Sequence, residues 1–311
     1  MYLGIDIGGT RLKAALVDSS GALTRGHAVP SPLTLPAFRR SIAELVEVAA
    51  SGVAVDGVGI GCKGIIRAAD TLVESLPGTL DYLEGHKLAE FVAPLTPVWA
   101  DNDARAALAG ELMFGAARGK RDVVMLTLGT GVGGAMVQSG VLVRGHAGVA
   151  GHAGHLTVDA DGPNCICGNR GCLETRFSAR ALEMEAIGTV LRGCASMLRD
   201  RHQANPLAIT CADVVACARE GDAVSRSIWD QGVKYLADAL VGLLHVLDPE
   251  VVILGGQIAE AGEMLFEPLW RDVPPRTMRL LKREVPIVPA QVGDGSGVVG
   301  AASLVMYSKG A

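Results

Sequence analysis

The sequence predicts an α/β protein that uses one plan, strand, glycine turn, strand, twice. Three observations support this. Leu3–Ile7 and Arg11–Asp18 are short apolar runs on either side of Gly8-Gly9-Thr10. The stretch Leu126-Thr127-Leu128-Gly129-Thr130-Gly131 superposes on Ile5-Asp6-Ile7-Gly8-Gly9-Thr10 about 120 residues further on, which reads as an internal duplication. Buried-strand runs also alternate with stretches of helical apolar periodicity.

The elements follow in order. A third strand is expected near 22–29, ending at Pro30 and Pro32, then a helix over roughly 36–50 with Phe38, Ile42, Leu45, Val46 and Ala49 on one face. Strands at 55–60 and 97–100 come next, the latter running into Asp101-Asn102-Asp103 and an Ala-rich helix over 104–114. That places the Asp/Asn cluster at the carboxyl end of a strand, the edge where open α/β sheets bind ligands. The second unit has strands at 123–128, 135–138 and 141–144, a helical stretch over 179–247, a strand at 250–254 ending in Gly255-Gly256, and a last helix over 298–307.

At 311 residues, 49% hydrophobic and 20% charged, the chain is long enough for about two domains with cores of their own. Its 28 basic and 33 acidic side chains give a net charge of −5 with no long Lys/Arg block, which argues against nucleic-acid and membrane-surface partners. No uncharged apolar run reaches the roughly 18–20 residues that span a bilayer. The start, Met-Tyr-Leu-Gly-Ile-Asp, has no basic region ahead of an apolar one, so a cytoplasmic protein is expected. With 4% aromatic residues and 40 glycines, recognition should rest on backbone groups.

Two stretches match G-x-G-x-x-G, Gly59 to Gly64 and Gly129 to Gly134. A dinucleotide fingerprint needs a helix after the glycines, and Ala135–Gln138 reads as strand, so a Rossmann site is the weaker reading. No P-loop motif is present either. What remains is a pair of hairpin turns, each either a simple tight turn or a cradle of N–H groups for phosphate oxygens. Asp6 beside the first can hold a hydrated Mg²⁺, and Thr10 and Lys13 can add donors. Gly129, Thr130 and Gly131 form the second turn, and Gly255-Gly256 would suit close contact with a base or ribose.

Seven cysteines is an odd number, and Cys165, Cys167 and Cys172 fall within eight residues. With His155 ten residues upstream they can make a closed Cys₃His set, which points to a structural zinc; His152 and His146 are alternative fourth ligands. Cys62, Cys194, Cys211 and Cys217 read as small buried hydrophobes.

Asp6-Ile-Gly-Gly-Thr10 with Lys13, Asn102-Asp103, Leu128 to Gly134, Gly151-x-x-Gly154-His155, Cys165-x-Cys167-Gly-x-x-Gly-Cys172-x-Glu174 and Leu254-Gly-Gly256 together resemble the ROK family of bacterial sugar kinases and repressors. The resemblance covers essentially the whole chain. It implies an actin-like ATPase (ribonuclease H-like) fold with two lobes around an ATP and sugar cleft, a structural zinc, Mg²⁺ with ATP, and a homodimer. On that pattern an N-terminal lobe takes 1–118, joined by the C-terminal helix at about 297–311, and a second lobe with the zinc loop takes 119–296. ROK repressors carry a winged helix-turn-helix ahead of this fold; a first phosphate strand at residue 3 sets the expectation of a kinase.

Carried over by motif, Asp103 matches the catalytic base, Asn102 its sugar-binding neighbour, Gly64 a glycine near the sugar, and Glu174 and His155 sugar contacts. A sugar hydroxyl is a poor nucleophile until a carboxylate accepts its proton. If Asp103 merely capped the following helix, Asp101 and Asn102 would have no stated purpose. Three positions depart from the family: His152 stands for a glutamate, Ser75 for an asparagine, and Lys63 for a proline. An imidazole offers one acceptor and one donor where a carboxylate only accepts, so the sugar's hydroxyl pattern is expected to differ. The resulting expectation is ATP-dependent phosphorylation of a hexose or hexose derivative at the 6-hydroxyl. The alternative is a non-catalytic sugar sensor.

Overall fold

Strand β1 (Tyr2–Ile7) is the centre of the first sheet, whose order is β3-β2-β1-β4-β7. The computed structural model describes residues 1–277, 283–293 and 295–310. Strands β2 (Arg11–Val17) and β3 (Leu23–Pro30) run back and forth beside β1 as antiparallel hairpins. On its other side β1 pairs in parallel with β4 (Val58–Cys62), and β4 with β7 (Val98–Asn102). Ile7 pairs with Cys62 and Cys62 with Asn102, so three parallel strands end level at their carboxyl edge.

The second sheet repeats the plan with the order β10-β9-β8-β11-β12. Its strands are β8 (Val123–Leu128), β9 (Val132–Gln138), β10 (Val141–Leu142), β11 (Val251–Gly255) and β12 (Ile287–Pro289). The two orders coincide position for position, as the expected duplication requires. The return strand begins at Val132, not Ala135, because Gly133 and Gly134 take extended backbone as readily as any residue.

The helix predicted over 36–50 is α1 (Leu35–Ala50), with Pro36 in its first turn and Phe38, Ile42, Leu45 and Ala49 buried. These join Leu3, Ile5, Leu12, Val58 and Ile60 in one apolar core. The strand expected at 55–60 starts three residues later, because the Asp56 N–H first donates to the Met1 carbonyl. The small hairpin β5 (Ile65–Arg67) and β6 (Leu72–Ser75) was not anticipated; neither strand is long enough to show a period.

Helix α2 (Asp103–Phe114) follows β7 directly. The helical stretch after 179 resolves into α3 (Ala179–Leu191), α4 (Met197–Arg201), α5 (Cys211–Arg219) and α6 (Ala223–Leu247). Helix α7 (Glu263–Asp272), with Pro268 inside it, has no counterpart in the sequence reading. The last helix, α8 (Ser296–Gly310), lies so close to β4 that a Cβ on Gly59 would stand 1.8 Å from the Ala301 carbonyl oxygen.

The chain divides into two compact units. One comprises Met1–Val123, Ala135–Gly151 and Ala290–Ala311; the other comprises Val124–Gly134 and His152–Pro289.

Candidate active site

In the first unit, the level carboxyl ends of β1, β4 and β7 deliver the Gly8 turn, Lys63-Gly64 and Asp103 side by side. The turn is closed by the Gly8 N–H donating to the Arg11 carbonyl at 3.1 Å. Gly9 and Thr10 are exposed at its tip. Asp6 faces Lys13 across the β1–β2 hairpin, so two of the expected phosphate-site residues are neighbours. Burial pushes the Asp6 carboxyl up to about 6, against the pull of Lys13 and with added repulsion from Asp103.

The Asp101-Asn102-Asp103 run separates into three roles. Asn102 caps α2, its Oδ1 accepting from the Ala104 N–H at 3.0 Å, while its Nδ2 donates to the Gly64 carbonyl at 3.0 Å. Asp101 is 1% exposed, and its carboxylate accepts from Arg105 at 2.8 Å and from Arg144 at 2.7 Å. The expectation that capping leaves these two residues without purpose is therefore corrected: both make hydrogen bonds that hold the local structure. Asp103, in contrast, is exposed at the first position of α2, with one carboxylate oxygen accepting from the Ala104 N–H at 2.9 Å. Ser75 belongs to β6, and its carbonyl lies 2.3 Å from where a Cβ on Gly64 would be, so it is the backbone of Ser75 that crowds the glycine.

Sequence reasoning missed Arg105 and Arg144. Arg105 also donates to the carbonyls of Gly148 and Ala150, and so holds the 145–151 loop. The spacing of Asp101 and Arg105, four residues apart where a helix begins, was the available signal.

In the second unit, the Gly129-Thr130-Gly131 turn joins β8 to β9. The Gly129 carbonyl accepts from the Ala179 N–H at 2.8 Å at the start of α3, and a Cβ on Gly129 would meet nothing within 4 Å. Glu174 accepts from the Val132 N–H at 2.8 Å, and a Cβ on Gly131 would stand 2.3 Å from its carboxylate. The expected sugar contact is thus also the brace of the turn. Gly256 has a φ of +86°, and a Cβ there would stand 2.4 Å from the Leu128 carbonyl oxygen. Packing inside the fold already demands this glycine, so nucleotide contact is not needed to explain it. A cavity of about 840 Å³ runs beside the turn, lined among others by Thr130, Gly131, Cys165, Glu174, Arg176 and Tyr235.

His155, Cys165, Cys167 and Cys172 bring their donor atoms within 4.8 Å of one another. His155 Nδ1 is 3.6 Å from Cys165 Sγ, and Cys167 Sγ is 3.6 Å from Cys172 Sγ. A tetrahedral site with bonds of about 2.0–2.3 Å has donor–donor edges of roughly 3.3–3.8 Å, and three thiolates with one imidazole are a donor set that zinc favours. The residues therefore fit the metal. Among the described residues neither His152 nor His146 joins this group. The His152 ring stacks near-parallel to His155, with centroids 6.4 Å apart.

The ROK family matches residues 2–307. Over 309 residues the chain is 35% identical to a glucokinase from Thermotoga maritima, covering 97% of this chain and 96% of the relative. It is 31% identical over 313 residues to an N-acetylmannosamine kinase from Escherichia fergusonii, covering 99% of each. Its fold matches the crystal structure of a ROK glucokinase from Streptomyces griseus in complex with glucose and AMPPNP, with a TM-score of 0.83 and 32% identity over 97% of this chain and 98% of that one. The duplicated sheets with a glycine turn in each are those of the actin-like ATPase fold. Within that class, the chain belongs to the ROK family.

Proposed function

We propose that the protein is an ATP-dependent carbohydrate kinase that phosphorylates a hexose or hexose derivative at its 6-hydroxyl. The observation behind this is the exposed Asp103 carboxylate, set level with the Gly8 turn on one sheet edge. Relatives named glucokinase and N-acetylmannosamine kinase, at 31–35% identity over nearly the whole chain, support it and do not favour a non-catalytic sensor.

Asp103 accepts the proton of the attacking hydroxyl as the bond to phosphorus forms. Asn102, held by Gly64 and by the helix it caps, has a second Nδ2 proton to offer the sugar. The N–H groups of each glycine turn are donors for phosphate oxygens, those of the first turn together with Thr10 and Lys13. Asp6 would hold the hydrated Mg²⁺ that accompanies ATP, which would offset phosphate charge. Gly64 and Ser75 in the first unit, and His152, His155 and Glu174 in the second, are the sugar contacts of this reading. His155, Cys165, Cys167 and Cys172 would hold a structural zinc, which would fix the loop that presents Glu174 and leave the chemistry to other residues. The same reading has the enzyme acting as a cytoplasmic homodimer, which light scattering at micromolar concentration checks.

The test is ADP release against a panel of hexoses, amino sugars and polyols. At least one sugar should turn over well above an Asp103→Asn control. A panel in which none does defeats the kinase reading.

A further inference from the structure

Strand β4 lies between β1, which ends in the Gly8 turn, and β7, which ends at Asp103. The residue that leaves β4 at this edge is Lys63, half-buried and immediately before Gly64. Its side chain turns toward the phosphate side. Lys63 Nζ lies 3.7 Å from where a Cβ on Gly9 would be and 3.6 Å from the same position on Gly78. Thr79 closes the group, its Oγ1 3.4 Å from the Gly9 carbonyl.

The ammonium has donors to spare for a ligand where it stands. Its hydrogen bond is to the Pro77 carbonyl, long at 3.4 Å, and among the described residues it forms no ion pair with a carboxylate. An ammonium has three protons to donate. The surroundings call for positive charge: Asp6, Asp103 and Lys63 all act on the buried Cys62 thiol at the end of β4, Asp103 most strongly after burial itself. Two carboxylates at one sheet edge repel an incoming polyphosphate unless cations offset them.

We propose that the Lys63 ammonium binds the terminal phosphoryl group of the nucleotide held at the Gly8-Gly9-Thr10 turn, on the side facing Asp103. The assignment rests on the kinase reading above. Lysine serves phosphate as a mobile point charge, and its flexible stem lets it follow the group as charge shifts among the phosphoryl oxygens. The lysine therefore distinguishes ATP from ADP, and it touches the group being transferred.

Calorimetric affinities for AMP-PNP and ADP, each with Mg²⁺, in wild-type protein and in Lys63→Met and Lys63→Arg variants test this without turnover. Lys63→Met should weaken AMP-PNP about tenfold or more while leaving ADP within about twofold; Lys63→Arg should keep most of the AMP-PNP affinity. Unchanged far-ultraviolet circular dichroism and melting temperature show that the variants fold. If Lys63→Met leaves AMP-PNP within about twofold of wild type, or weakens ADP equally, the assignment is overturned. A wild-type protein that turns over no sugar defeats the kinase reading, and the nucleotide affinities still decide the role of Lys63.

Discussion

The Glu174 carboxylate accepts a hydrogen bond from the Val132 backbone N–H at 2.8 Å, so a residue two places after the cysteine loop braces the second glycine turn. The loop and the turn are therefore mechanically linked. A hydrogen bond to a charged acceptor contributes about 1.5–3 kcal/mol. Glu174→Ala should weaken nucleotide binding about tenfold as well as raising the KM for sugar, and Glu174→Gln should restore part of the nucleotide affinity. A Glu174→Ala variant whose nucleotide affinity is unchanged would reduce this residue to a sugar contact alone.

Asp6 couples stability to activity in opposite directions. Its carboxyl is moved from 3.8 to about 6, chiefly by burial, so the folded protein holds its proton more tightly than the unfolded chain. The favourable contribution is complete below about pH 4 and is lost as pH rises through 6. At pH 8 the ionised carboxylate thus costs up to about 3 kcal/mol. Asp6→Asn should raise the stability measured by urea unfolding at pH 8, with little gain at pH 4, while abolishing Mg²⁺-dependent turnover. In the wild type, kcat/KM should fall as pH drops through about 6.

The buried pair of Asp101 and Arg105 is 1% exposed on both sides, so removing one partner strands the other. Arg105→Met should cost about 3–5 kcal/mol in urea unfolding. Arg144→Met should cost less, since Arg144 is 41% exposed. Faster amide exchange across 145–151 is expected only for Arg105→Met, because Arg105 alone of the two donates to the Gly148 and Ala150 carbonyls. Equal losses for the two variants would contradict this division.

Freshly purified protein should contain about one equivalent of zinc per chain by elemental analysis. Chelation should lower the melting temperature and open the 152–175 segment to protease, and Cys172→Ser should reproduce both effects. Protein that is fully folded and free of zinc would contradict the ligand assignment.

The duplicated plan was readable because glycine turns between apolar runs are local signals; Gly8-Gly9-Thr10 and Gly129-Thr130-Gly131 lie where the sequence puts them. The Cys₃His group was readable for the same reason, and among the described residues it is His155, of the three histidines, that groups with the cysteines. The purposes of Asp101 and Asn102 were only half readable, since Arg105 and Ala104 are local partners but Arg144 and Gly64 lie 43 and 38 residues away. The bracing role of Glu174 was hidden likewise, its partner Val132 being 42 residues distant. Helix α7 escaped because it is only ten residues long and contains Pro268, which argues against a helix on local grounds.

The central claim is that Asp103 takes the proton of a sugar hydroxyl, and single-turnover phosphorylation by Asp103→Asn tests it most directly. With the best sugar of the panel and saturating MgATP, the variant should transfer phosphate about 10²–10⁴ times more slowly than wild type, with sugar and nucleotide affinities within about threefold. A variant that transfers phosphate at a rate within a few fold of wild type would contradict the account.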